Sequence, residues 1–252
     1  MKSVALYSSE SANGWLPWGV AAPLVCVVLV AAPVVAVSLA LEHFGLVDAK
    51  GDPLGLTGLF AFLLFPFAGI AIVVASWIRF VERRPLTTVG LAGAGGVQKF
   101  LVGLLIGTSM IVAIVASTWL ADGYAVGAYA KAFTAHGAVT IIALLLVCFT
   151  VQSSVEEFVF RGWLLSAIAR KFNIPFAIAL TTLTFTFLHY SPDLSGLATF
   201  NIILFAVFAG CWVVEAGSIW SVMGWHAGWN GFVGPVLNCR SPAWIHMCRR
   251  FS

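Results

Sequence analysis

The sequence predicts an all-α, polytopic integral membrane protein: a helix bundle with about seven transmembrane helices, within a range of about six to eight. Hydrophobic residues make up 61% of the 252 residues and charged residues only 9%, whereas soluble domains carry about 25% charged residues. The mean hydropathy is +1.00. Apolar stretches of about 20 residues, enough to cross a bilayer as a helix, recur along the chain.

Seven apolar stretches account for the predicted helices and leave little room for soluble structure. The fourth would be about 50 Å long at about 1.5 Å per residue, against a hydrocarbon core of about 30 Å. We therefore expect it to tilt, kink or protrude, and to run through the middle of the bundle. In chain order the stretches lie near residues 15–41, 55–80, 99–120, 137–169, 174–190, 197–214 and 219–237.

We interpret residues 1–252 as one membrane domain with N-terminal helices (1–130), a polar-centred core (131–238) and a short basic tail (239–252). Arginines beside the second connection are interpreted as topology determinants, which puts the N-terminus in the cytoplasm. These are Arg79, Arg83 and Arg84. The net charge of +3 comes from 13 basic and 10 acidic residues. This is too sparse for a basic face, so no nucleic-acid partner is expected.

The fourth stretch carries three ionisable residues within six positions: Glu156, Glu157 and Arg161. Each costs roughly 2.5 to 3.5 kcal/mol at bilayer depth, so such groups usually face a bundle interior and mark a site. Glu157 and Arg161 stand four apart and can form an intrahelical ion pair. Glu156 lies about 100° further round the helix, which leaves one carboxylate free to point elsewhere.

Two further polar pairs lie in apolar helices at a spacing of four: Phe185 with His189, and His226 with Asn230. If the three helices pack together, these groups converge with Glu156 on one polar pocket. A carboxylate with an imidazole can take a proton from water. A second imidazole and an amide can stabilise an oxyanion. Alternatively, Glu156, His189 and His226 are an adequate ligand set for a divalent metal such as zinc.

Together the three motifs resemble the CAAX-protease and bacteriocin-processing family of intramembrane proteases, also called the Abi family, which includes the type II CAAX prenyl endopeptidases. Each motif alone is weak, but three in the family's order on membrane helices are specific. The resemblance covers about residues 137 to 236. The motifs read Glu156-Glu157-x-x-x-Arg161, Phe185-x-x-x-His189 and His226-x-x-x-Asn230.

The resemblance implies an endopeptidase that acts on membrane-associated peptides or proteins, in CAAX-type or bacteriocin processing. Glu156 and His189 would activate a water, His226 and Asn230 would support the oxyanion, and the glutamate–arginine ion pair would position the helix. It leaves the cofactor open, because the family has been described both as metal-dependent and as glutamate-dependent without a metal.

Two other functions are consistent with the same buried groups. The chain could be a proton-coupled carrier that uses the Glu/His cluster as a relay, although the charged helix is not repeated in the first half, as carriers usually show. It could also be a catalytically silent immunity or scaffold protein. In each case we expect a multi-pass protein of the cell (plasma) membrane with lipids as partners.

Overall fold

The computed structural model describes residues 6–7, 12–121 and 138–232, and within them the fold consists of helices and connecting loops. A 3₁₀ turn, Leu86–Val89, precedes the third helix. The helices are α1 (Ala22–His43), α2 (Gly55–Ser76, continued by the π-helical turn Trp77–Val81), α3 (Gly96–Leu120), α4 (Ala138–Glu157, continued by the π-helical turn Phe158–Leu164 and by Leu165–Ala169), α5 (Ile174–Leu188), α6 (Gly196–Ala216) and α7 (Trp220–Phe232).

The predicted all-α membrane bundle is confirmed, since each apolar stretch contains a helix. The first helix begins at Ala22, later than predicted, and the other six begin within three residues of the predicted positions. Five helices, α1 to α4 and α6, are long and apolar enough to cross a membrane. The shorter helix α5 has 15 residues, or about 22 Å at about 1.5 Å per residue, so it reaches only part of the way across. The end of the seventh stretch and the predicted basic tail, 239–252, lie outside the described residues.

Helix α4 runs through the middle of the bundle, as its length and charge predict. Every residue from 155 to 169 is buried. In the most apolar 18-residue segment of the same helix, only 28% is buried. The burial therefore concentrates at its C-terminal half. This half contains the π-helical turn Phe158–Leu164, a feature that often occurs at functional sites. The buried ionisable residues lie at the start of this turn.

Helix α7 packs against α3 with unusually close backbones. Four glycines, two on each helix at a spacing of four, make this approach possible, because an added Cβ would overlap backbone atoms of the other helix. Small residues at such spacing are typical of tight helix pairs in membranes. The contact fixes the position of α7, which carries two of the predicted site residues. The glycines are Gly103, Gly107, Gly224 and Gly228.

The arginines that we interpret as topology determinants occupy different environments. Arg79 and Arg83 are exposed, but Arg84 is fully buried and forms an ion pair with the fully buried Glu82. Arg84 therefore also has a structural partner inside the protein, and the interpretation of the three arginines as topology determinants stays a prediction. The sequence does not show which arginine is buried, because Arg83 and Arg84 are adjacent residues of the same type beside Glu82.

Glu82 joins the end of α2 to the π-helical turn of α4. Its Oε1 accepts hydrogen bonds from Nε1 of Trp77 at 3.0 Å and from Nε1 of Trp163 at 2.7 Å. The guanidinium of Arg84 also donates to Oγ of Ser166, at 3.2 Å. Charge-assisted hydrogen bonds of this kind are about twice as strong as neutral ones. This cluster holds the buried half of α4 against the end of α2 and the loop that follows it.

Candidate active site

The polar pocket predicted from the sequence forms where α4, the end of α5 and α7 meet. Helix α4 contributes Glu156 and Glu157, both buried. His189 caps the C-terminus of α5. His226 and Asn230 stand one turn apart on α7. The convergence of the three motifs is therefore confirmed.

Glu156 faces both imidazoles. Its Oε2 lies 3.6 Å from Nε2 of His189 and 3.8 Å from Nε2 of His226. Its Oε1 accepts a hydrogen bond from Nε2 of Gln152 at 3.3 Å. The two distances to the imidazoles exceed those of direct hydrogen bonds, and polar groups at such separations are commonly bridged by water. The three atoms thus form one group of polar atoms with no direct hydrogen bond between Glu156 and either imidazole.

The hydrogen bonds of the two imidazoles define which nitrogen is free. Nδ1 of His189 lies 2.8 Å from the carbonyl oxygen of Phe185, and Nδ1 of His226 lies 2.7 Å from Oε1 of Glu157. A carbonyl or carboxylate oxygen only accepts, so both Nδ1 atoms must donate. In the neutral rings the lone pair is then on Nε2. Both lone pairs are near the carboxylate of Glu156.

Glu157 has a role in the site that the sequence did not predict. Its Oε1 accepts from Nη1 of Arg161 at 3.1 Å, which confirms the predicted intrahelical ion pair. The same oxygen also accepts from Nδ1 of His226. The second contact depends on the packing of α4 against α7, and spacing along one helix cannot reveal it. Glu157 therefore supports a histidine of the pocket as well as its own helix.

Asn230 bridges two elements of the site. Its Nδ2 lies 3.0 Å from Nε2 of His226 and 3.3 Å from Oγ of Ser153 on α4. With Nδ1 of His226 protonated, its Nε2 accepts from the amide, so both contacts are consistent with one orientation of the carboxamide. Asn230 thus links its own helix to α4.

Phe185 packs between an imidazole and a guanidinium. Its ring stacks on His189 at a centroid distance of 4.0 Å, and Cζ of Arg161 lies 4.4 Å from its centroid. The sequence places Phe185 and His189 on one helix face, and this contact confirms it. The cation–π contact with Arg161 adds a further attraction between α4 and α5.

The N-terminal segment also reaches the site helix. The hydroxyl of Tyr7 donates to the carbonyl oxygen of Arg161 at 2.7 Å. Burial of the phenol, together with the charge of Glu157, raises its pKa well above the usual range. Tyr7 therefore stays a neutral donor at all physiological pH values and satisfies a carbonyl within the π-helical turn.

Two polar residues beside the pocket, Gln152 and Ser153, and one that supports helix α4 from the end of α2, Glu82, are absent from the predicted site. Gln152 and Ser153 lie four positions before Glu156 and Glu157, so the helical period places each on the same face as one of the glutamates. That spacing is a signal which could have identified them. Glu82 carries no comparable signal, because it belongs to a loop far away in the sequence.

The proposed metal ligands, Glu156, His189 and His226, share the pocket. Among the described residues, however, no group of three His, Cys, Asp or Glu side chains has an arrangement that could hold a metal ion. The side chains alone provide a base, two imidazoles and an amide. We accordingly derive the chemistry without a metal, and the metal set stays a prediction.

The fold and the site define an integral membrane protein with a buried polar centre between its helices. Residues 138–232 match a protein-family model, described as Type II CAAX prenyl endopeptidase Rce1-like. This confirms the resemblance carried by the three motifs, all of which lie within the match. Over this region the chain is similar to a family of membrane proteases. No curated protein and no solved structure matches the chain.

Proposed function

We propose that this protein is an intramembrane endopeptidase that hydrolyses peptide bonds of membrane-associated substrates. The observation that carries the proposal is the position of Glu156, whose Oε2 faces Nε2 of His189 and Nε2 of His226. The match of residues 138–232 to a CAAX-type protease family supports the same class of reaction.

Glu156 is the general base in this mechanism, and His189 assists it. A water held between Oε2 of Glu156 and Nε2 of His189 gives up a proton to this pair as its oxygen attacks the substrate carbonyl carbon. The tetrahedral intermediate then collapses with loss of the C–N bond, and the same proton passes to the leaving amine. A positioned general base contributes typically about 10²- to 10⁴-fold to the rate.

His226 and Asn230 stabilise the oxyanion. His226 donates from Nε2 only when its ring is protonated, and the carboxylate of Glu157 on Nδ1 stabilises that imidazolium. Once Nε2 of His226 carries a proton it no longer accepts from Asn230, so that N–H of the carboxamide is free for the oxyanion while Oγ of Ser153 holds the other. Donors already fixed in a poorly solvated site need little reorganisation, so their effect on the transition state is large.

The substrate is a membrane-associated peptide or protein, of the CAAX type or a processed peptide such as a bacteriocin. The site lies in the buried half of a membrane helix, so a substrate held in or at the bilayer reaches it without leaving the lipid. We place the enzyme in the plasma membrane, with lipids as its immediate surroundings.

The proposal is tested by cleavage of a quenched, membrane-anchored peptide library by the protein purified in detergent. We expect cleavage by the wild type and its loss in both Glu156→Ala and His189→Ala. Ser154→Ala is the matched control, because Ser154 lies on the same helix but is rotated away from Glu156 and partly exposed. Absence of cleavage by folded wild-type protein would favour a silent scaffold or a carrier instead.

A chelator arm of the same assay decides the cofactor. With glutamate as the base and no metal, activity is retained after dialysis against a strong chelator. Loss of activity on chelation, with recovery on addition of zinc, would instead assign Glu156, His189 and His226 as ligands.

A further inference from the structure

Helices α4 and α7 contact each other through two polar pairs one helical turn apart. Glu157 of α4 bonds His226 of α7, and Ser153 of α4 bonds Asn230 of α7. The spacing is four on both helices and the order is reversed, so the helices are antiparallel here. The two pairs form the rungs of a ladder about 6 Å apart.

The second rung acts on the first through Asn230. The carboxamide nitrogen has two hydrogens, and its two close acceptors are Oγ of Ser153 and Nε2 of His226. The contact to Ser153 therefore restricts the rotation of the carboxamide, which in turn contacts the imidazole. Ser153 is completely buried, so a loss of its hydroxyl would not be made good by bulk water.

From this arrangement we propose that Ser153 is a positioning residue for the reaction: it holds the carboxamide of Asn230 so that both Asn230 and His226 are ready to receive the oxyanion. The inference rests on the proposed function and deepens it, since Ser153 touches neither the substrate nor the attacking water. It acts only through Asn230. The motifs from which the site is predicted do not include it.

Ser153→Ala removes the acceptor but keeps the helix and almost all of the volume. We expect kcat to fall about fivefold, the effect of one neutral hydrogen bond, while KM stays within about twofold. Ser153→Thr keeps a hydroxyl and restores most of kcat. Ser154→Ala, a change of the same size at the next position, leaves both constants unchanged. In an Asn230→Ala background, Ser153→Ala has no further effect.

A second readout does not depend on activity. In protein labelled with ¹⁵N-asparagine, the side-chain amide signal of Asn230 is assigned by its disappearance in Asn230→Ala. We expect this signal to move towards that of a free carboxamide in Ser153→Ala, and to stay in place in Ser154→Ala and Ser153→Thr. The far-UV circular dichroism of each variant checks that the bundle is intact.

The proposal is overturned if Ser153→Ala leaves the Asn230 signal in place, or if its kcat stays within twofold of the wild type. If the wild-type protein cleaves no peptide, the proposed function fails. The amide signal then still decides whether Ser153 holds Asn230.

Discussion

Oε1 of Glu157 lies 2.7 Å from Nδ1 of His226, across the interface between α4 and α7. The same oxygen bonds Arg161 on its own helix. One buried carboxylate thus determines the orientation of a pocket histidine while it is itself held by a guanidinium. Such support of a histidine by a carboxylate fixes the tautomer of the ring and stabilises its protonated form.

Variants of Glu157 should separate its two roles. Glu157→Gln keeps an oxygen that accepts from Nδ1 of His226 but removes the charge that stabilises the imidazolium. We expect kcat to fall about tenfold or more, with a smaller loss of folded yield than in Glu157→Ala, because the glutamine oxygen still accepts from Arg161. Glu157→Ala leaves Arg161 buried without its partner and should cost about 3 to 5 kcal/mol of stability.

The measurements for this pair are the rate of peptide cleavage and the temperature of aggregation in detergent. Full activity of Glu157→Gln would show that the carboxylate has only a structural role, as the sequence alone indicates. Glu42→Gln, at the exposed C-terminal end of α1, serves as the control for loss of one negative charge.

The adjacent arginines Arg83 and Arg84 provide a matched pair for the buried cluster at the end of α2. Arg84→Ala leaves Glu82 buried without its counter-charge, so we expect a loss of about 3 to 5 kcal/mol in stability. Arg83 is exposed, and Arg83→Ala should change stability by less than about 0.5 kcal/mol. Thermal unfolding in one detergent compares them directly.

Both substitutions remove one positive charge from the same loop. If these arginines act only as topology determinants, the two variants should behave alike. Equal stabilities for Arg83→Ala and Arg84→Ala would therefore contradict the role assigned to the Glu82–Arg84 pair.

The close packing of α3 against α7 predicts a large effect of small substitutions. A Cβ on Gly107 would overlap the backbone at Trp225, and one on Gly228 would overlap the backbone at Leu104. Either change to alanine forces the helices apart and displaces His226. We expect lower thermal stability, by about 1 to 3 kcal/mol, and reduced cleavage.

Gly196→Ala is the control for this prediction. Gly196 opens α6, and a Cβ there meets nothing within 4 Å. The substitution should be neutral or slightly stabilising, by up to about 1 kcal/mol. If Gly107→Ala and Gly196→Ala unfold at the same temperature, the close contact of α3 with α7 is not as described.

The sequence predicts much of this fold because each helix is a long apolar run with little competing signal. The site is predictable for a related reason. Polar groups such as Glu156, His189 and His226 are costly in a membrane, so their presence predicts that they face the bundle interior and belong to one functional site. The helical period then orients the neighbours that stand four residues apart. That period predicted the contacts of Glu157 with Arg161 and of Phe185 with His189.

The features that the sequence did not predict arise from contacts between distant segments. The bond between Glu157 and His226 depends on the register of two helices, which neither helix contains by itself. The burial of Arg84 is a separate case, because Arg83 and Arg84 are adjacent residues of the same type and the sequence does not show that Arg84 is the one that pairs with Glu82. The π-helical turn Phe158–Leu164 was also not predicted, since its mostly apolar residues carry no pattern that distinguishes it from an α-helix.

The most direct test of the central claim compares single-turnover cleavage of one anchored peptide by the wild type and by Glu156→Gln. Glutamine keeps the size of the side chain and its contact with Gln152 but cannot take a proton from water. We predict a rate at least about 10²-fold lower, with the same peptide affinity and the same thermal stability. A Glu156→Gln protein that cleaves at the wild-type rate would contradict the assignment of Glu156 as the base.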